Sequence, residues 1–189
     1  MIASQILSMV RNGMLLYYHT TASLLTNLLY DCIPTERTTA FFEGFNATIL
    51  AYGQTGSGKT WTMGSSAEAN IPSQNEGIIP RVITHLFDQV RRREKEQPNC
   101  SYKVHVQFLE IYGEEIRDLL DQTKTSEVTI RETREHGVFV SGAREELVSS
   151  YEQMMKTLED GSRHRVTAST RMNQTSSRSH GEIALPLLQ

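Results

Sequence analysis

Apolar positions along the chain change their period several times, and each change predicts an element. Ile79, Val82, Ile83, Leu86, Phe87 and Val90 recur at helical spacing beside Pro80, which suits a first helical turn. That helix is expected to run out in Arg91, Arg92, Arg93, Glu94 and Lys95, a solvated end that offsets the negative terminus of the helix dipole. Tyr102, Val104, Val106 and Phe108 then alternate with Lys103, His105 and Gln107, predicting a long, half-buried strand as far as Tyr112. Residues 114–120 read as a short helix. Val128, Thr129, Ile130 and Arg131, with Gly137, Val138, Phe139 and Val140, predict a β-ribbon turning about Glu135, His136 and Gly137. Ser149 or Ser150 can cap a further helix through Glu152, Met155, Leu158 and Glu159, with Gly161 as its stop.

Upstream the punctuation is weaker. Scattered leucines (Leu15, Leu16, Leu24, Leu25, Leu28, Leu29) suggest one or two helices before Pro34. Phe41, Phe42, Glu43, Gly44, Phe45 and Asn46 predict a helix end and a turn. Thr48, Ile49, Leu50, Ala51 and Tyr52 form a short apolar run, as expected of a strand covered on both faces in a parallel sheet. Residues 64–77 are polar, lack a period and read as an exposed loop.

Chemistry enters directly after that strand. Gly53, Gln54, Thr55, Gly56, Ser57, Gly58, Lys59 and Thr60 fit the phosphate-cradling pattern G-x-x-x-x-G-K-[ST]. Glycines there allow a tight turn and bring backbone N–H groups against phosphate oxygens. Lys59 can reach the β- and γ-phosphates, and the Thr60 hydroxyl can ligate Mg²⁺. A strand before the loop and a helix after it supply the context the pattern requires, so the chain is expected to bind a nucleoside triphosphate, ATP, with Mg²⁺.

Bulk properties change this picture little. With 189 residues and 38% hydrophobic content the chain can bury one sizeable core. A net charge of −3 gives no sign of a bulk nucleic-acid binder. Cys32 and Cys100 lack paired metal spacing and suggest a reducing compartment. No apolar run approaches the length of a membrane span. His105 reads as a solvated strand residue, and the pair Met154 and Met155 as core packing.

Asn173, Gln174, Thr175, Ser176, Ser177, Arg178, Ser179 and His180 form a second polar cluster. Its hydroxyls, amide, guanidinium and imidazole suit a γ-phosphate and its metal ion. Taken with residues 51–60, this cluster resembles switch I of the kinesin motor domain, N-x-x-S-S-R-S-H. Residues 41–48, Gly77, Ile78, Ile79, Pro80, Arg81 and Val82, the run Phe108, Leu109, Glu110, Ile111, Tyr112, and residues 115–120 are similar to the same family. Residues 130–132 and 138–142 resemble its chromokinesin-like (kinesin-4) branch.

The resemblance implies an α/β, three-layer P-loop NTPase fold, with a central, mostly parallel sheet flanked by helices. It implies a divergent segment at residues 1–39 and a partial motor domain at 40–189. Lys59 would meet the β/γ-phosphates, Thr60 and Ser177 the Mg²⁺, and Trp61 the adenine. Ser176 and Asn173 would order the attacking water and phosphate oxygens, and Arg178 would pair with a switch II glutamate. The implied function is an ATP-dependent microtubule motor, an ATPase with tubulin as its partner, in the cytoplasm on the microtubule cytoskeleton. Two family features are absent from the sequence: the R-x-R-P adenine motif of the first strand and the switch II motif D-x-x-G-x-E. A partial motor domain of this kind is expected to bind nucleotide weakly and turn it over poorly. A non-catalytic nucleotide- or microtubule-binding fragment is the alternative. A kinase-like P-loop protein would need a Walker B acid, which Val106, Gln107, Phe108, Leu109 and Glu110 imitate poorly.

Overall fold

The computed structural model describes residues 14–18, 41–44, 47–51, 57–64, 76–112, 115–121, 123, 127–134, 137–171, 179–184 and 187–188. The chain divides into two compact units, Met1–Gln97 and Pro98–Gln189.

In the first unit, β1 (Met14–Tyr18) runs parallel to β2 (Ala47–Ala51), with Met14 opposite Ala47 and Tyr18 opposite Ala51. Leu15 and Leu16 therefore lie in a strand, where their spacing with later leucines predicts a helix. Met14 to Tyr18 is an unbroken apolar run, a sequence pattern that parallel strands carry. The other helices expected before Pro34 fall outside the described residues. Phe41 and Phe42 are helical, and Gly44 (φ +86°) turns the chain while its N–H donates to Phe41 O at 3.1 Å.

Helix α1 (Lys59–Met63) is short, and α2 (Ile78–Glu96) is long. The apolar stripe of α2 is buried at Ile78, Pro80, Ile83, Leu86, Phe87 and Val90, with Pro80 in the first turn as expected. At its far end the basic run is engaged locally. Arg91 pairs with Asp88 at 2.6 Å, Arg92 pairs with Glu96 at 2.9 Å, and Arg93 stands 4.6 Å from the ring centre of buried Phe42.

The second unit is organised on β3 (Lys103–Tyr112). Its first half pairs with β7 (Glu146–Val148) and β9 (Leu187–Leu188). Its second half lies between β4 (Glu115–Asp118) and β8 (Ser179–Ala184). All four partners are antiparallel, so among the described residues parallel pairing occurs at β1–β2 alone. Val106, Gln107, Phe108, Leu109 and Glu110 are all buried, although alternation predicts a half-buried strand; β3 is interior to its sheet, and α3 covers the face that carries Phe108 and Glu110. A separate ribbon, β5 (Thr129–Thr133) with β6 (Gly137–Ser141), lies where the sequence predicts it.

Of the expected helix at 114–120, the described residues 115–120 are not helical: Glu115–Asp118 form the strand β4. Tyr112 pairs with Glu115, leaving only residues 113 and 114 between them, the span of a two-residue hairpin. Helical propensity in Glu115, Arg117 and Leu119 loses to this local pairing. Asp118 then closes the exit, its Oδ1 accepting from Leu120 N at 2.8 Å and Asp121 N at 3.2 Å, and its Oδ2 from Arg144 N at 2.6 Å.

Helix α3 (Tyr151–Arg171) is longer than the sequence suggests, passing through Gly161 without stopping. Its start is capped as expected. Ser150 Oγ accepts from Gln153 N at 3.2 Å, and Gln153 Oε1 accepts from Ser149 N at 3.0 Å. Gly161 is a packing glycine, since a Cβ there would come 2.5 Å from Phe108 Cδ1. The spacing is simple geometry: four residues of helix rise about 6 Å and two residues of strand about 6.6 Å. Gly161 therefore meets Phe108, and Arg165, one turn later, meets Glu110 on the same strand face.

Candidate nucleotide site

Strand β2 ends at Ala51, just before the glycine-rich loop. Gly53, Gln54, Thr55 and Gly56 lie outside the described residues. The loop's last residues are described. Gly58 adopts φ +91°, a left-handed conformation that glycine takes without steric cost, and serves as the N-cap of α1. Its carbonyl accepts from Thr62 N at 2.9 Å. No side chain caps this helix start, and its first turn holds no acidic residue.

Lys59 and Ser57 are half-buried, Thr60 is exposed, and Thr62 is buried at 5% exposure, so α1 turns its first threonine outward and its second inward. Trp61 is 45% exposed and does not belong to the buried core. A threonine hydroxyl is the hard oxygen donor that Mg²⁺ takes, and the neighbouring lysine supplies the charge a phosphate chain requires. These residues fit Mg²⁺ and a triphosphate. Among the described residues no cluster of His, Cys, Asp and Glu could hold a metal ion.

Helix α1 ends at Gly64 (φ +73°), whose N–H donates to Thr60 O at 2.9 Å and Trp61 O at 3.1 Å. A Cβ at Gly64 would meet Gly77 Cα at 2.8 Å, and one at Gly77 would strike Gly64 N. Gly64 and Gly77 therefore meet at one narrow neck between α1 and α2, and the exposed loop expected between them lies, at residues 65–75, outside the described residues. Arg81 Nε donates to Glu76 O at 2.9 Å and fixes the return.

Asn173, Ser176, Ser177 and Arg178 also lie outside the described residues, but their flanks are defined. Helix α3 ends at Arg171 and β8 begins at Ser179, opposite Tyr112, with His180 opposite Ile111. Beside this register sits a charged cluster that periodicity alone does not reveal. The Glu110 side chain is 3% exposed, with Oε1 at 3.4 Å from Arg165 Nε and Oε2 at 3.9 Å from Arg117 Nη1. Arg117 also pairs with Glu115 at 2.9 Å and lies 4.6 Å from the Tyr112 ring centre. His164 Nδ1 is 2.9 Å from Leu119 O, which makes it the donor. A carboxylate inside the apolar run Leu109, Glu110, Ile111 is the signal that could have pointed to this cluster, because a buried charge needs a partner. His105, expected to be solvated, is more enclosed: its side chain is 20% exposed and Nδ1 lies 3.8 Å from Glu145 Oε2.

The sequence model of the kinesin motor domain matches residues 18–187. Mouse "Kinesin-like protein KIF21B" is 44% identical over 160 residues, covering 78% of this chain and 10% of that protein. "Kinesin-related protein 8" of Dictyostelium discoideum is 45% identical over 158 residues, covering 83% of this chain and 8% of its own length. A solved structure described as "Structure of a fast kinesin: Implications for ATPase mechanism and interactions with microtubules" superposes with a TM-score of 0.75 at 34% identity. That match covers 86% of this chain and 44% of the solved one. The chain thus spans about a tenth of the length of the curated relatives it matches. Among the described residues no helix is long and apolar enough to cross a membrane.

Proposed function

Because the chain belongs to the kinesin motor domain family, we propose that it binds Mg·ATP as part of an ATP-driven microtubule motor. The observation that carries this reading is the order of elements around the phosphate loop. A strand paired in parallel ends at Ala51, and a left-handed Gly58 opens the helix that carries Lys59 and Thr60.

In this reading the backbone of residues 53–58 cradles the phosphates. Lys59 offers a mobile charge to the β- and γ-phosphates, and Thr60 and Ser177 offer hydroxyls to Mg²⁺. Magnesium, when bound, neutralises charge on the phosphate oxygens. Asn173 and Ser176 orient water and phosphate oxygens, and Arg178 supplies a charge-assisted contact. Trp61 offers a ring face to the adenine, consistent with its exposure. Hydrolysis and force production, with tubulin as partner and the microtubule cytoskeleton as location, belong to the same proposal, supported by the family match across residues 18–187.

The test is titration of the purified chain with a fluorescent ATP analogue and Mg²⁺, alongside microtubule co-sedimentation. Saturable binding displaced by unlabelled ATP supports the nucleotide reading, and nucleotide-dependent pelleting supports the motor reading. A chain that binds neither removes both.

A further inference from the structure

We propose that Glu110 is a positioning residue for the phosphate-sensing motif, acting through Arg165 and through the pairing of β3 with β8. The motif is flanked by two anchors, and one strand holds both. On the N-terminal side, Arg165 lies six residues before the end of α3 and reaches the buried Glu110 carboxylate at 3.4 Å. On the C-terminal side, the next two β3 residues, Ile111 and Tyr112, pair with His180 and Ser179. A change in where α3 sits on β3 alters the separation of the two anchors, the end of α3 at Arg171 and the start of β8 at Ser179.

Glu110 suits this task because its environment gives it little freedom. It is 3% exposed, it stands between two guanidinium groups, and Gly161 one turn earlier on α3 lets the helix approach the same strand face closely. Arg117 is held independently by Glu115 and the Tyr112 ring, so its pairing with Glu110 stiffens the β3–β4 hairpin. The link between strand and helix runs through Arg165. In this proposal the pairing of the enclosed Glu110 carboxylate with Arg165 fixes position rather than adding stability.

This proposal rests on reading residues 173–180 as a segment that senses the γ-phosphate, and its test separates the two. The variants are Glu110→Gln, Glu110→Asp, Arg165→Met and Arg117→Met in the full chain. Two readouts are taken: amide hydrogen exchange across Ser179–Ala184, and the ratio of Mg·ATP to Mg·ADP affinity. Glu110→Gln and Arg165→Met are expected to speed exchange in β8 about tenfold, a local opening rather than global unfolding. Both should shrink the ATP:ADP preference while leaving ADP affinity, set by the phosphate loop, within about twofold. Glu110→Asp, which keeps the charge, should retain most of the preference, and Arg117→Met should leave it unchanged.

Equal effects of Arg117→Met and Arg165→Met would overturn the proposal, as would unaltered β8 exchange in Glu110→Gln. Should Glu110→Gln fail to fold, Arg165→Met carries the same comparison. A wild-type chain that binds no nucleotide refutes the nucleotide reading alone, because the exchange measurement still decides the anchoring role.

Discussion

Gly161 lies so close beneath the Phe108 ring that a single added carbon would stand 2.5 Å from Cδ1, and that ring is 2% exposed. Helix α3 can therefore settle on β3 only with no side chain at this point. Gly161→Ala should lower stability by about 1–3 kcal/mol through overpacking, outweighing the roughly 1 kcal/mol that alanine gains over glycine inside a helix. Urea denaturation checks the sign; an unchanged or raised midpoint would show that the helix does not need this approach.

The Asp118 carboxylate organises the exit from the β3–β4 hairpin by accepting from three backbone N–H groups, those of Leu120, Asp121 and Arg144. Asp118→Ala leaves these donors without their acceptor in a partly buried corner, and should cost about 1–3 kcal/mol. Asp118→Asn keeps one acceptor oxygen and should cost less. Denaturation midpoints of the two variants decide it, and a result with asparagine as damaging as alanine would argue against the hydrogen bonds as the cause.

The neck at Gly64 and Gly77 predicts opposite tolerance on its two sides. Gly64→Ala places a methyl at φ +73° against the Gly77 backbone and should destabilise by about 1–3 kcal/mol. Adding a Gly-Ser pair after residue 70 lengthens a segment whose flanking residues, Gly64 and Gly77, already meet, and should cost less than about 1 kcal/mol. Thermal denaturation of both variants is sufficient. A costly insertion beside a harmless Gly64→Ala would contradict the neck.

Much of this was legible in the sequence, and the misses share a cause. The stripe of α2, the ribbon β5–β6 and the capping of α3 follow from period and punctuation, because local chemistry decides them. Residues 115–118 misled because their composition favours a helix, while the hairpin that made them a strand depends on the neighbouring residues of β3. Gly161 misled for the converse reason: glycine near a helix end usually stops it, and only contact with Phe108 explains one that does not. Met14 to Tyr18 became a strand through pairing with a segment some thirty residues away, which spacing cannot show. At the site, pattern alone singles out the motif residues proposed to bind nucleotide. The Glu110–Arg165 pair, made between residues distant in sequence, was not.

Thr60 should set the metal dependence of nucleotide binding, since it is an exposed residue with a hydroxyl next to Lys59. Chelating Mg²⁺ should weaken ATP binding to the wild-type chain by about tenfold or more, a charge-assisted contact being worth roughly 1.5–3 kcal/mol. Thr60→Ala should bind more weakly at the start and respond less to chelation. Titrations with and without EDTA test this, and equal sensitivity of the two chains would remove Thr60 from the metal site.

The most direct measurement is the affinity of the purified chain for Mg·ATP compared with that of Lys59→Ala, by titration with a fluorescent analogue. Removing the lysine charge should weaken binding by about 10- to 100-fold while the circular dichroism of the two proteins stays the same. Equal affinity of the two chains, or no saturable binding by the wild type, would contradict the account.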